Sequence, residues 1–403
     1  FAQAIIENLK SKSNPKLNPY IKKIEIAGPG FINFHLNNSY FAEMLNTINT
    51  DIDLFARPPQ KKTRASLEHT DMNPNKELHV GHLRNSCIGE AMVNLLRYSG
   101  RDVAVQYYQN DAGLQISSIV LAYKEKLVDP ADFPKLHKWA AEAYVDIEKR
   151  LELEKEEAEK SGKSEAGDLT SKRDKIQSNI ASQDNEDARL AKELTDEILR
   201  NVLEVMSEFG IYFDLIVCES EILKNKIWEA ALEILKKSPA FYQAKDGERA
   251  GCWLVKMPNA EDKVFIRSNG IPNYVATDFA YELWKFGLLP DFKYEPFELP
   301  FYKKPLDITS STGVKKEGYN RADEVYLVID TTQSYPQQSI VEALKVLGYK
   351  EQSEKYHHIA YGFVYLSNKT ADKLGVEVED PNKPIKMSGR SGTVVSVDTF
   401  IKE

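Results

Sequence analysis

The stretch from Thr63 to Tyr108 does most to narrow what this chain can fold into. Thr63 to His69 alternate in a β-compatible way. Leu83, Cys87, Ile88, Ala91, Met92, Leu95 and Leu96 then trace one helical face that stops at Gly100. Arg101 to Tyr108 alternate again through Val103, Val105 and Tyr107. Strand, helix and strand in that order form a βαβ crossover, which belongs in a mostly parallel, doubly wound sheet, so the expected fold class is α/β. The loop Asn73-Pro74-Asn75-Lys76-Glu77-Leu78-His79-Val80-Gly81-His82 then lies beyond the carboxyl end of a parallel strand, where such sheets hold ligands. The helix after it offers unpaired N–H groups to a phosphate.

Within that loop His79 and His82 stand three residues apart and can both face a phosphate chain. Gly81 removes the side chain that would keep a nucleotide off the backbone. Donors whose bonds strengthen as charge builds on a phosphoryl group contribute to catalysis and not only to binding. Two other readings compete: a pair of capping or core histidines, and a metal pair. A zinc site asks for further ligands at fitting separations, and no third is evident, so no protein metal site is expected. About 300 residues later comes Lys386-Met387-Ser388-Gly389-Arg390-Ser391-Gly392-Thr393, a Gly/Ser loop with two cations. Such a loop can close on a triphosphate during in-line displacement, or be an ordinary exposed turn.

Elsewhere the pattern divides the chain. Residues 1–56 read as a small α/β unit, with a helix over Ala4 to Lys10, a strand through Ile21, Ile24 and Ile26, a Gly28-Pro29-Gly30 turn and a second strand from Phe31 to Leu36. Arg57-Pro58-Pro59 begins a linker, and a larger domain is expected over 57–403. Residues 122–209 are dense in Glu and Lys and predict two long surface helices, inserted between halves of the sheet and broken around Ser161 to Gly167. The β signal returns at Tyr212 to Val217, Cys252 to Lys256, Val264 to Arg267 and Glu324 to Ile329. Helical patterns alternate with it, so the second half is expected to complete the same sheet. Residues 289–319, rich in Pro and Lys, predict an irregular excursion.

Composition excludes some functions. The net charge of −8 gives no whole-molecule attraction to nucleic acid, so RNA would have to meet a local basic surface. Lys22-Lys23, Lys61-Lys62, Lys303-Lys304 and Lys315-Lys316 are candidates, although lysine pairs are ordinarily solvated surface. Cys87, Cys218 and Cys252 form no C-x-x-C, which argues against a zinc knuckle or disulfide framework and fits a reducing, cytoplasmic compartment. No apolar run approaches a membrane span, and the start at Phe1 lacks a signal-peptide pattern.

Taken together, the two loops resemble the signatures of class I aminoacyl-tRNA synthetases. His79-Val80-Gly81-His82 is similar to H-I-G-H, and Lys386-Met387-Ser388-Gly389-Arg390 to K-M-S-K-S with an altered tail, in the form of archaeal-type arginyl-tRNA synthetases. Four more segments resemble that family: Glu68 to Lys76, Gln109 to Gln115, Tyr274 to Asp278, and Ala27 to Phe34. The resemblance implies a Rossmann-like catalytic domain behind a partial tRNA-contacting amino-terminal domain, and activation of L-arginine with ATP and Mg²⁺ before transfer to tRNA(Arg). It implies a cytoplasmic monomer without membrane attachment, and catalytic His79, His82, Lys386 and Arg390. Lys76, His79, Gly81, His82, Lys386, Met387 and Ser388 fall on its ATP positions, and Glu68, Asn73, Tyr274, Asp278 and Gln333 on its arginine pocket. Carboxylates suit a guanidinium, whose five donors sit in a fixed fork. A second glutamine, Gln337, stands close to Gln333. Gly389 replaces the second lysine of K-M-S-K, which moves any cationic role there to Arg390, Lys76 or the tRNA. Nothing after Glu403 remains for the family's anticodon-binding domain. Another class I synthetase, a nucleotidylyltransferase and a non-catalytic tRNA-binding paralogue are the alternative readings.

Overall fold

The computed structural model describes residues 2–11, 18–52, 62–161, 167–182, 184–258, 261–316, 318–373, 385–386 and 395–402. It divides into two compact units, Phe1–Lys61 with the Tyr98–Gly100 turn, and the remainder. The first unit holds α1 (Ala2–Ser11), an antiparallel hairpin of β1 (Ile21–Ala27) and β2 (Phe31–Leu36), and α2 (Asn38–Thr50). Gly28 and Gly30 turn the hairpin at φ 57° and 112°, values that L side chains rarely adopt. Asn37 caps α2 by accepting a hydrogen bond from the Tyr40 N–H.

The second unit opens with the crossover read from the sequence: β3 (Arg64–Glu68), α3 (Val80–Tyr98) and β4 (Asp102–Gln109). Then come α4 (Leu114–Lys124), α5 (Leu136–Ser161), α6 (Asp168–Ser182), α7 (Glu186–Glu208), β5 (Leu215–Cys218), α8 (Glu219–Lys224) and α9 (Ile227–Leu235). Three short strands, β6 (Phe241–Gln243), β7 (Trp253–Val255) and β8 (Lys263–Ile266), lead to α10 (Tyr274–Lys285). The rest comprises β9 (Lys293–Pro296), β10 (Asp307–Thr309), β11 (Val314–Lys315), β12 (Glu324–Asp330), α11 (Ser334–Val346), α12 (Lys350–Glu354), β13 (Tyr356–Tyr361), β14 (Tyr365–Leu366), α13 (Asn368–Lys373), β15 (Ile385–Lys386) and α14 (Val397–Lys402).

The main sheet runs β11-β9-β10-β5-β4-β3-β12-β13, parallel from β10 to β13, with β9 and β11 antiparallel at one edge. Helices cover both faces of its centre, so Ala65, Ser66, Leu67 and Glu68 are all buried and β3 carries no solvated face. From β3 the chain moves outward through β4 to β5 on one side and later returns through β12 to β13 on the other. The direction of winding therefore reverses between β3 and β12, and a crevice opens beyond their carboxyl ends.

Three features differ from the sequence reading. The charged insertion forms three helices, α5, α6 and α7, because Asn185 starts a new one by capping the Ala188 N–H. Its apolar stripes are not surface: Trp139, Ile147, Ile176, Ile198 and Val202 join the same core as Leu67 and Val105. β6, β7 and β8 form a separate antiparallel sheet and do not extend the main one. The Pro-rich excursion contributes β9, β10 and β11, and β10 pairs directly with β5.

Candidate active site

The loop after β3 is held from several sides. Thr70 and Asp71 adopt φ 77° and 40°, an uncommon conformation for residues with a Cβ. The Thr70 N–H donates to Asn85 Oδ1 at 2.7 Å, its hydroxyl meets Ser86 Oγ at 2.7 Å, and Asp71 Oδ1 accepts the Tyr108 N–H at 2.7 Å. Asn85 in turn donates to the Val328 carbonyl on β12 at 2.8 Å, so α3 ties the loop to both strands beside the crevice. Gly89 permits this approach: a Cβ there would fall 2.3 Å from the buried ring of His69. His69 packs on Phe213, and burial lowers its pKa to about 3, marking a neutral core histidine.

The paired histidines open α3. Their rings stack at 3.8 Å with 22° between planes. The Gly81 N–H donates to His79 Nδ1 at 3.0 Å, and the His79 N–H to His82 Nδ1 at 3.3 Å. Each Nδ1 is thus used as an acceptor, which assigns the proton of each neutral ring to Nε2. Burial, followed by Lys76, lowers His79 to about 4. Burial, followed by His79 and Lys76, holds His82 well below its ordinary value. At neutral pH both are uncharged N–H donors next to an exposed lysine. This site is also where Gly81 is needed, since a Cβ would meet His79 Cε1 at 2.8 Å.

Of the late loop, Met387, Ser388 and Arg390 lie outside the described residues, and Lys386 is described only by its backbone, paired with Tyr365. Its flank nevertheless reaches the histidines. Ser396 bridges His79, the Val80 N–H donates to the Val395 carbonyl at 3.1 Å, and the Val397 N–H to the Leu78 carbonyl at 3.0 Å. Val80 and Ile385 also pack against one small core with Leu366, Ala371 and Val395. The flanks of the late loop are thus joined to the histidine loop through backbone and core, despite their separation in sequence.

An acidic basin lies at the carboxyl ends of β3 and β5. Glu68, at the end of β3, is 7% exposed and ion-paired with the fully buried Lys285, whose ammonium also donates to Glu282 at 2.7 Å and lies 4.1 Å from the Tyr281 ring centroid. Asp278, a turn before Glu282 on α10, is held well above the usual carboxylate range. Burial is the main cause, reinforced by Glu219, Glu68 and Glu282 and opposed by Lys285. Glu219, at the carboxyl end of β5, is raised to about 7 by burial and Asp111. Four carboxyl groups around one ammonium oppose one another's ionisation, and a cationic ligand among them would favour their charged forms. The Tyr108 hydroxyl, buried and without a hydrogen-bond partner among the described residues, adjoins the same carboxyl groups.

Of the remaining expected residues, Asn73 and Gln333 follow the carboxyl ends of β3 and β12 and Tyr274 opens α10. Asn73 accepts a hydrogen bond from Asn110, and Tyr274 is exposed at the first turn of α10. Gln333 lies in the 3-10 turn after β12, whereas Gln337 accepts the Tyr356 hydroxyl at 2.5 Å and is buried. Sequence reasoning missed Glu219, Lys285 and Tyr108. Lys285 was legible in part, since Asp278, Glu282 and Lys285 follow the 4, 3 spacing of one helical face, and Glu219 directly follows a strand in a region where strand ends carry function. Among the described residues no group of three or more His, Cys, Asp or Glu side chains is arranged to hold a metal ion.

Comparison with known proteins bears on this geometry directly. Residues 48–285 match the family described as tRNA synthetases class I (R), catalytic domain. The chain belongs to this family. Residues 2–36 of the synthetase chain also match the arginyl tRNA synthetase N terminal domain. The arginine–tRNA ligases of Thermus thermophilus and Thermococcus sibiricus are each 30% identical over the whole chain, which spans 61% of their length. The solved arginyl-tRNA synthetase of Thermus thermophilus superposes with a TM-score of 0.76 at 29% identity, over all of this chain and 60% of that one. The Plasmodium falciparum enzyme, at 18% identity and TM-score 0.61, shares the fold. Among the described residues no helix is long and apolar enough to cross a membrane.

Proposed function

We propose that this class I synthetase chain carries the catalytic centre of an arginine–tRNA ligase. In this reading, L-arginine and MgATP form arginyl-adenylate and pyrophosphate, and the arginyl group then passes to a terminal ribose hydroxyl at the 3′ end of tRNA(Arg) as AMP leaves. The observation that carries the proposal is the juxtaposition of two opposite chemistries at one sheet edge: neutral imidazole donors beside Lys76, and an acidic basin around Asp278 and Glu219. The first suits a triphosphate and the second a guanidinium.

The arginine carboxylate attacks the ATP α-phosphorus in line, and pyrophosphate leaves. The Nε2–H groups of His79 and His82 donate to the phosphate oxygens as charge develops on them, in a setting that needs little reorganisation. Lys386 and the Mg²⁺ accompanying ATP balance the leaving charge, with Met387, Ser388 and Arg390 in the same loop. Asp278 and Glu219 accept from the guanidinium, Tyr274, Asn73 and Gln333 border it, and Glu68 acts through Lys285.

The test is arginine-dependent exchange of pyrophosphate into ATP, run with tRNA(Arg) present. Exchange specific to arginine among the amino acids is expected, and Lys386→Ala is expected to lower kcat about a hundred-fold with a smaller effect on ATP binding. Exchange driven by another amino acid, or none with folded protein and tRNA, refutes the assignment.

A further inference from the structure

The amino ends of the same strands hold a second feature. A cavity of about 490 Å³ opens against the first residues of β3 and β4 and the residue preceding β5, at the edge opposite the histidines and the acidic basin. Its size is that of a small-molecule site. Arg64, Arg97, Arg101 and Lys304 all line it, on a chain whose net charge is −8.

These cations are not matched one for one. Arg101 is closed in a two-pronged pair with Glu324, at 2.5 and 3.2 Å, and is the least exposed. Asp214 alone serves both Lys304 at 2.7 Å and Arg97 at 3.5 Å, and also accepts the Val105 N–H at 2.8 Å. Arg64 approaches Asp102 only to 3.7 Å, and that carboxylate is 80% exposed, where a pair of charges contributes little. The cavity therefore carries positive charge beyond what its own carboxylates neutralise. Asn320 in its wall is only 7% exposed, yet its side-chain amide makes no hydrogen bond among the described residues. Its side-chain amide is therefore free to offer a donor and an acceptor to a ligand in the cavity.

We propose that the cavity binds the phosphate group of a small anion, with Arg64 and Arg97 forking onto its oxygens, Lys304 as a point charge and Asn320 donating its amide N–H. A guanidinium matches a phosphate with two parallel bonds, and two guanidinia beside an ammonium favour phosphate over a monocarboxylate. Lys304 belongs to one of the basic pairs legible in the sequence, so the same phosphate chemistry could reach the cavity on an RNA backbone. The narrow volume favours the small anion. The inference is independent of the proposed arginine chemistry, because the sites lie at opposite ends of β3, about 13 Å apart along the strand.

Calorimetric titration with inorganic pyrophosphate tests it. The protein is compared with an Arg64→Ala/Arg97→Ala variant and with a His79→Ala/His82→Ala variant, which removes binding at the carboxyl end. Pyrophosphate binding that survives in the histidine variant and weakens at least ten-fold in the arginine variant is the expected result. Asn320→Ala and Lys304→Gln, which leave the Arg97 bond to the Val103 carbonyl in place, should weaken it several-fold and serve if the double variant does not fold. Titration with tRNA separates the two sources. Loss of tRNA binding in the cavity variants without loss of pyrophosphate binding overturns the small-anion assignment. So does pyrophosphate binding that disappears with the histidines, or that the cavity variants leave unchanged.

Discussion

Alanine at position 81 perturbs the histidine pair without touching a charge. The added Cβ would fall 2.8 Å from His79 Cε1 and 2.9 Å from Nδ1, against the 3.4 Å where ordinary contact begins, so the ring must retreat by roughly 0.6 Å or turn away. Retreat weakens the Gly81 N–H bond to Nδ1 and the 3.8 Å stack on His82. A hydrogen bond of this kind contributes about 1 kcal/mol and a ring pair about 0.5–1.5 kcal/mol. If the aligned Nε2–H donors act on the transition state, roughly 1.5–2.5 kcal/mol is lost from the barrier side, a fall of about ten- to seventy-fold in kcat. Alanine favours helix over glycine by up to about 1 kcal/mol, so thermal stability should move by only a few degrees. The assay is arginine-dependent pyrophosphate exchange with tRNA, alongside a melting curve and an NMR titration of His79. A more solvated ring should titrate above its present value of about 4. Exchange within two-fold of the parent, with the His79 titration displaced, refutes the idea that these donors need this alignment.

Asp278→Asn removes a charge facing the proposed guanidinium and should weaken arginine about ten- to a hundred-fold, the scale of a charged hydrogen bond, with ATP little affected; equal arginine affinity by calorimetry contradicts the pocket. Glu219 is protonated up to about pH 7 in the folded chain but only to about 4.5 when free, so it favours folding at low pH and that contribution fades as pH rises toward 7. A cation needs it ionised, so arginine should bind more tightly at pH 8 than at pH 6 and release protons at the lower pH. Glu219→Gln should flatten that dependence, and an unchanged slope contradicts the role given to Glu219. Lys285→Met leaves Glu68 and Glu282 buried without their ammonium and should cost about 3–5 kcal/mol in denaturant unfolding. A loss under about 1 kcal/mol means Lys285 does not hold the basin together.

What could be read from the sequence was local. The β3-α3-β4 crossover is visible because each element is long enough to complete its own period, and its loop position follows from chain order alone. β7 and β8 were assigned to the wrong sheet because strands of three or four residues carry too little pattern to show which sheet they join. The break at Asn185 was missed because Asp184 and Asn185 sit in a run of charge, where capping residues look like more polar surface. The acidic basin is a long-range object: Lys285 meets Glu68 across 217 residues, and no spacing rule connects them. Glu68 and Asp278 were named from resemblance. That Glu68 already holds an ammonium emerged only from the fold.

A structure determined with L-arginine and a non-hydrolysable ATP analogue tests the whole account most directly. It should show the guanidinium between Asp278 and Glu219 and the phosphates within hydrogen-bond reach of Nε2 on His79 and His82. Arginine bound elsewhere, or a triphosphate resting away from both imidazoles, contradicts it.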